Sequence, residues 1–271
     1  MIDIHCHLLP GIDDGPKTWE QSIDLCRAMA ANGIRRAVAT PHLIDGVYNN
    51  TLSRVRPLAT ELNRRTSEAG IDLEVLCGAE VDLSSRYISM ASDELPILGG
   101  GRSVLLEMPM AVIPHAMAEI IFSARAQGLI PILAHPERNE ILQENLGLAD
   151  EWIRAGAALQ LDGDSLFGDW GQHAKRCGEE LLARGLFHAM ASDAHSIDRR
   201  PPKLREALEV AIGLVGEDAR KLVTTGPELL LAGICPETPM YPPRPLPRRR
   251  SRSVRRKSKR SLFDRILGRS T

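Results

Sequence analysis

Histidine and carboxylate residues recur at the ends of short apolar runs along this 271-residue chain. The first run starts at Ile2, ends on His5-Cys6-His7 and leads into Asp13-Asp14-Gly15-Pro16. Later runs end on His42 after Thr40-Pro41, Glu80 after Gly78-Ala79, Glu107 after Leu105-Leu106, His135 before Pro136, and Asp193 and His195 in Ser192-Asp193-Ala194-His195. Imidazole nitrogens and carboxylate oxygens bind borderline divalent metals. Donors scattered in this way cannot make a local finger. They can meet if each stands at the C-terminal end of a different strand of one barrel, where the βα loops collect. More than four donors imply more than one ion, and two ions about 3.5–4 Å apart are suited to hydrolysing phosphate esters.

A single histidine of this kind is more often a hydrogen-bonded core residue than a ligand. The two paired motifs change that balance, because alternate residues of a strand share a side; His5-x-His7 and Asp193-x-His195 each present two donors together. His115, His173 and His188 fall within expected helices or a strand interior and read as structural. Glu137 reads as a carboxylate at a helix start, and Cys6 should point away from its flanking histidines into the core. No cysteine has an arginine six residues later, which excludes phosphatase chemistry through a thiol in a phosphate cradle. Arg138, three residues after His135, and Arg200, in Asp198-Arg199-Arg200-Pro201-Pro202, read as rim residues, with a surface salt bridge the alternative for each. A guanidinium fork matches a phosphate dianion.

The elements that must position these residues alternate. Strands are expected at 1–5, 34–40, 71–79, 103–107, 130–134, 157–161 and 186–191. Helices are expected at 19–32, 52–69, 84–92, 111–127, within 137–155, and at 171–184, 202–214 and 217–223. Strand–helix alternation with continuously apolar strands predicts a parallel α/β fold. An open doubly wound sheet gathers its ligands at one crevice; donors at nearly every strand end favour a barrel.

Composition narrows the function classes. A hydrophobic share of 43% and a charged share of 25% are those of an ordinary globular protein. Aromatics at 4% argue against a stacking platform for single-stranded nucleic acid. No apolar run reaches the ~18 residues of a membrane span. The first strand begins at Ile2 and soon carries His5, so no cleavable leader is expected. Five cysteines without a C-x-x-C pair fit a reducing, cytoplasmic compartment. The net charge of −1 conceals an acidic body and a basic C-terminus, with Arg248-Arg249-Arg250, Arg255-Arg256-Lys257 and Lys259-Arg260. A catalytic domain is therefore expected over residues 1–235, and a disordered tail over 236–271, Pro-rich and then Arg/Lys-rich. The tail opens with the stiff Pro242-Pro243-Arg244-Pro245-Leu246-Pro247 and closes with Leu262-Phe263-Asp264-Arg265-Ile266-Leu267, a short amphipathic turn suited to an anionic membrane surface, with a solvated tail that makes no contact and a nucleic-acid contact as the alternatives.

Taken in order, His5-x-His7, Asp13-Asp14-Gly15-Pro16, Thr40-Pro41-His42, Gly78-Ala79-Glu80, His135-Pro136-Glu137-Arg138 and Ser192-Asp193-x-His195 resemble the polymerase and histidinol phosphatase (PHP) superfamily. More narrowly they resemble the manganese-dependent bacterial tyrosine-protein phosphatases of capsular and exopolysaccharide biosynthesis clusters, over about residues 1–230. Asp-Asp-Gly-Pro and the Arg200-Pro201-Pro202 step point to that branch. The resemblance implies a distorted (β/α)7 TIM-like barrel, the PHP fold, holding three divalent ions: Mn2+, with iron, zinc or cobalt as other candidates. It implies His5, His7, Glu80 and Asp193 on the first ion, and Glu80 bridging to a second completed by Glu107 and His135. Asp14, His42 and His195 would hold the third, with Arg138 and Arg200 on the phosphate and Arg199 an extra neighbour.

The implied reaction is direct hydrolysis of phosphotyrosine without a phosphoenzyme. The implied partner is a membrane-bound autophosphorylating tyrosine kinase that regulates exopolysaccharide or capsule synthesis, which would place the protein in the cytoplasm, peripherally at the inner membrane face. The alternative within the superfamily is a small-molecule phosphatase such as histidinol phosphatase. A nuclease would need a basic channel, and the acidic body argues against nucleic acid as a partner. The basic tail lies outside the family pattern.

Overall fold

A computed structural model describes residues 1–83 and 95–246. The helix expected at 84–92 and the amphipathic turn at 262–267 lie outside the described residues. In chain order the strands are β1 (Ile2–Cys6), β2 (Arg36–Ala39), β3 (His42–Leu43), β4 (Glu74–Cys77), β5 (Glu80–Asp82), β6 (Ser103–Glu107), β7 (Ile130–Ala134), β8 (Ala158–Asp162) and β9 (Ala189–Ala191). One sheet runs β1-β2-β4 and the other β3-β5-β6-β7-β8-β9, and all of these pairings are parallel.

The two sheets are one barrel with two interrupted walls. β2 and β3 are a single wall broken at Thr40-Pro41, since Pro41 has no N–H for the ladder. β4 and β5 are a second wall broken at Gly78-Ala79. A Cβ on Gly78 would lie 2.6 Å from a Leu98 methyl and 2.8 Å from a Val38 methyl, so only glycine lets the walls approach there. Closure is made between β1 and the residues after β9: Asp193 N donates to His5 O at 2.9 Å, His7 N to Ala194 O at 2.8 Å, and Cys6 bridges Ala194. Seven wall positions result, the distorted seven-stranded barrel that the resemblance implies. The seam is fastened at the C-terminal ends of the strands, where the predicted donors stand.

The outer layer is α1 (Trp19–Ala31), α2 (Leu52–Glu68), α3 (Met117–Ala126), α4 (Glu140–Glu144), α5 (Gly147–Ala155), α6 (Gly163–Phe167), α7 (Gly171–Ala183), α8 (Leu204–Val215) and α9 (Thr225–Leu231). α1 shows the local logic. Thr18 accepts from Gln21 N as the N-cap, Leu25, Cys26 and Met29 form the buried stripe, and Gly33 at φ +91° ends it. The helix expected from residue 111 starts only at Met117. Pro114 disfavours helix before it, and Asn139 Nδ2 ties the loop to the rim through Pro109 O at 2.8 Å and Val112 O at 3.1 Å. His115 therefore lies in an exposed turn. The expected 137–155 helix is divided into α4 and α5 at Asn145, which has φ −135° and ψ 80°, and Glu217–Val223 is a 3-10 helix.

Residues 236–246, tail by composition, run along the barrel at the end opposite the donors. Tyr241 is 2% exposed and its hydroxyl donates to Leu182 O at 2.9 Å. Arg244 N donates to Ala183 O at 2.8 Å.

His188, at the same end, is buried, as a structural histidine should be. Its Nδ1 accepts from Leu159 N at 3.0 Å, so its Nε2–H faces Thr238 Oγ1 at 2.6 Å. Burial lowers its pKa to about 4. A depressed folded pKa gives stability that is present above the unfolded value near ~6.5 and lost as pH falls towards 4, a term of about 3 kcal/mol. His188→Asn keeps an acceptor for Leu159 N and cannot take up the proton. Urea unfolding at pH 7 and pH 5 should show a smaller loss of stability in the variant than in the parent; equal losses would contradict this account.

Candidate metal centre

The nine predicted donors converge at the C-terminal rim. His5 on β1 and His7, one residue past its end, face inward, while Cys6 between them turns away and donates its S–H to Val38 O at 3.2 Å, as expected from the alternation. β3 brings His42, β5 Glu80 and β6 Glu107. His135 follows β7 at φ +31° and Asp193 follows β9 at φ +49°. Both are non-glycine residues in the left-handed region, a backbone strain that gathers at functional sites.

Glu80 is the hub. Its Oε2 lies 3.2 Å from His5 Nε2, 3.5 Å from His7 Nε2 and 2.9 Å from His42 Nδ1; its Oε1 lies 3.1 Å from His135 Nε2. Asp193 Oδ1 completes one side at 3.2 Å from His5 Nε2 and 3.4 Å from His7 Nε2. Glu107 approaches His42 Nδ1 at 3.5 Å and His135 Nε2 at 3.8 Å. On the other side Asp14 Oδ1 lies 3.2 Å from His195 Nε2 and 3.6 Å from His42 Nε2. Four overlapping groups have all their donor atoms within 4.8 Å: His7-Asp14-His42-His195, His5-His7-Asp193, His5-Glu80-His135 and His42-Glu80-Glu107. The groups are less separate than the three implied sets. His7 also reaches the Asp14 group, and the two nitrogens of His42 face different groups.

The residues fit metal ions on chemical grounds. Gln160 Nε2 donates to Leu161 O at 2.7 Å, which turns its carbonyl to His5 Nδ1 at 2.9 Å. His5 must therefore donate there and present the Nε2 lone pair inward. Asp13 does the same for His7 at 2.8 Å, and Asp193 O for His195 at 2.8 Å. Lone pairs of imidazole and carboxylate then face one another. Among the described residues, five such buried atoms have no hydrogen-bond partner: His5 Nε2, His7 Nε2, His42 Nδ1, Glu80 Oε2 and Asp193 Oδ1. Buried polar atoms are normally satisfied; a cluster of five unsatisfied acceptors is what a cation would satisfy.

The titration behaviour agrees. Burial opposes charge on His5, but Glu80 and Asp193 raise it to about 9. Burial, with help from Glu80, raises Glu107 to about 7. Burial and the Arg138 charge lower His135 to about 4. The donors thus differ sharply in proton affinity within one small volume, as perturbed functional sites do.

Both predicted arginines stand at the edge. Arg138 Nη1 donates to Asp193 Oδ2 at 2.9 Å and to Asp162 Oδ2 at 3.4 Å. Arg200 donates through Nη2 to Asp193 Oδ2 and through Nη1 to His195 Nε2 at 3.0 Å. Arg199 is exposed to solvent. Glu137 is buried in a 3-10 turn, where its Oε1 accepts from Asp162 N and Ser165 Oγ; burial raises it to about 7. It is structural rather than a donor, as expected.

Other site residues carry no sequence signal of their own. Asp13 and Gln160 orient histidines, Asp162 pairs with Arg138, and Asp3 accepts from Ser192 Oγ at 2.6 Å beneath Asp193. Asp13 is the exception in part, being the neighbour of Asp14 in a motif already singled out.

Fold and site define a parallel α/β barrel built around a cluster of metal donors. The family model for capsular polysaccharide synthesis, CpsB/CapC, matches residues 1–232, and the chain belongs to that family. It is 36% identical over 252 residues to the tyrosine-protein phosphatase YwqE of Bacillus subtilis, covering 92% of this chain and 98% of that one. It is 33% identical over 207 residues to the putative tyrosine-protein phosphatase CapC of Staphylococcus aureus, covering 76% and 81%. Among solved structures it superposes with TM-score 0.83 at 36% identity, over 92% of this chain and 100% of the other, on a chain from the crystal structures of YwqE and Streptococcus pneumoniae CpsB, described there as unique metal-dependent tyrosine phosphatases. A lactonase variant from Deinococcus radiodurans matches with TM-score 0.53 at 14% identity, over 85% and 94%, a likeness of fold alone.

Proposed function

We propose that this chain is a metal-dependent tyrosine-protein phosphatase, a phosphoric monoester hydrolase acting on phosphotyrosine in a protein of capsule or exopolysaccharide synthesis. The observation that carries this reading is the set of five unsatisfied inward-facing donor atoms with two arginines at their edge. The names of the YwqE and CapC relatives supply the substrate class.

By the resemblance, His5, His7, Glu80 and Asp193 would hold one ion, Glu80, Glu107 and His135 a second, and Asp14, His42 and His195 a third, with manganese the metal; all nine residues fall in the overlapping donor groups, though those groups cut across the three sets. Divalent ions held there supply Lewis-acid charge and lower the pKa of water towards neutrality. Asp13 and Gln160 fix the histidine tautomers. Arg138 and Arg200 receive the equatorial phosphoryl oxygens as charge builds on them. In direct hydrolysis a water oxygen forms the new P–O bond as the P–O bond to the phenolate breaks, so no phosphorylated residue is required; the phenolate, with a conjugate acid near ~10, needs little help from a general acid.

The activity belongs to residues 1–235, with 236–246 strapped to the far face. The substrate proposed is a membrane-bound autophosphorylating tyrosine kinase. No described helix is long and apolar enough to cross a membrane. The basic residues after 247 would supply peripheral contact with an anionic surface. The test is phosphate release from a phosphotyrosine peptide and from histidinol phosphate, using chelated protein with manganese restored and Asp193→Ala as the blank. Preference for the peptide, lost in the blank, is expected. Preference for histidinol phosphate would replace this reading with the small-molecule one.

A further inference from the structure

The two rim arginines meet on one indole. Arg138 Cζ lies 3.8 Å from the centroid of the Trp170 ring and Arg200 Cζ lies 5.0 Å from it. The arginines come from the rims of β7 and β9, and Trp170 comes from the segment between α6 and α7, just after β8. β8 runs between β7 and β9 in the sheet. It is also the one wall of the seven that contributes none of the nine donors. Its C-terminal end supplies Asp162 and Trp170 instead, and both contact an arginine.

An indole has a property here that a carboxylate lacks. Asp193 and Asp162 hold the guanidiniums by their N–H edges, the same edges a phosphate needs. An aromatic face attracts the flat face of a guanidinium and leaves its in-plane donors free. It also offsets the repulsion between two adjacent cations. Trp170 Nε1 is buried and has no hydrogen-bond partner among the described residues, so its polar atom gains nothing from them. What it contributes is its π system, which both guanidiniums approach.

We propose that Trp170 is the positioning residue of the arginine pair, holding Arg138 and Arg200 side by side as one fork for the phosphoryl oxygens. This rests on the arginine roles proposed above. The test compares Trp170→Leu and Trp170→Phe in the manganese-loaded full chain. The readouts are steady-state kinetics on a phosphotyrosine peptide, calorimetric binding of inorganic phosphate, and metal content. In Trp170→Leu, KM and the phosphate Kd are expected to rise about tenfold, the equivalent of one cation–π contact, with metal content unchanged. Trp170→Phe, which keeps an aromatic face and the fold, should recover most of the loss. In an Arg138→Gln/Arg200→Gln background, adding Trp170→Leu should change phosphate affinity little. Parental phosphate affinity in Trp170→Leu, or an undiminished effect without the arginines, would overturn the proposal. Absence of hydrolysis in the parent would count against the phosphatase reading alone, because phosphate calorimetry still decides the role of Trp170.

Discussion

Glu80→Gln is expected to lower kcat/KM on a phosphotyrosine peptide by on the order of 10³-fold while the protein stays folded. Among the described residues Glu80 is the one side chain that faces four of the histidines, with its two oxygens 2.9–3.5 Å from His5, His7, His42 and His135. Replacing the carboxylate by an amide removes a full negative charge from the middle of the donor set. The amide N–H can still donate to a neutral imidazole, so the local packing has no reason to collapse. Lewis-acid stabilisation amounts to several kcal/mol, and 1.36 kcal/mol is a decade in rate. Metal content should fall by at least one ion per chain in the same preparation. Asp14→Asn should lose less, because Asp14 is 46% exposed and its ion pairs are with His42 at 3.6 Å and His195 at 3.2 Å, at one side of the cluster. A Glu80→Gln protein that kept both its metal and its rate would remove Glu80 from the centre.

The strand ends were legible because two signals coincide at each: a short apolar run and a donor residue just beyond it. That held for β1, β6 and β7 to within a residue. It was weaker at β3 and β5, which are only two and three residues long and lie past the breaks at Pro41 and Gly78, where the periodic signal has already stopped. The expected start of α3 lies too early: Pro114 already disfavours helix in the residues before it, and the tie from Asn139 that holds this stretch as a loop comes from another rim. Gln160 is the clearest case of what cannot be read. It sits in an apolar strand like any tolerated polar residue, and its role depends on β8 facing β1 across the barrel interior. Trp170 likewise acquires meaning only once β7, β8 and β9 are known to be neighbours. The choice between Arg199 and Arg200 is made by a turn: His195 N donates to Arg200 O at 3.0 Å, which returns that residue to the rim.

Manganese should raise the melting temperature of chelated protein by roughly 10 °C, and the gap should widen as pH rises. The size follows from linkage: a ligand at a thousand times its Kd contributes about 4 kcal/mol per site, and for a chain of this length each kcal/mol moves the midpoint by about 2–4 °C. The pH dependence follows from the histidines. Burial disfavours charge on His5, yet Glu80 and Asp193 raise it to about 9; His7 is raised well above its ordinary value against burial by Asp13, Asp193 and Glu80; and His42 is raised by Glu80. In metal-free protein these imidazoles, when protonated, are the counter-cations of the buried carboxylates. Because their folded pKa is raised, that stabilisation is complete below the unfolded value near ~6.5 and is lost as pH climbs through about 9 for His5. Metal binding requires the same imidazoles neutral, so its contribution grows over the same range. His135, lowered to about 4 by burial and Arg138, is neutral throughout and adds no slope above pH 6. Thermal melts of manganese-loaded and chelated protein at pH 6, 7.5 and 9 should therefore diverge steadily. A gap independent of pH would mean that protons and metal do not compete for one set of histidine nitrogens, and the donor assignment of His5, His7 and His42 would fall with it.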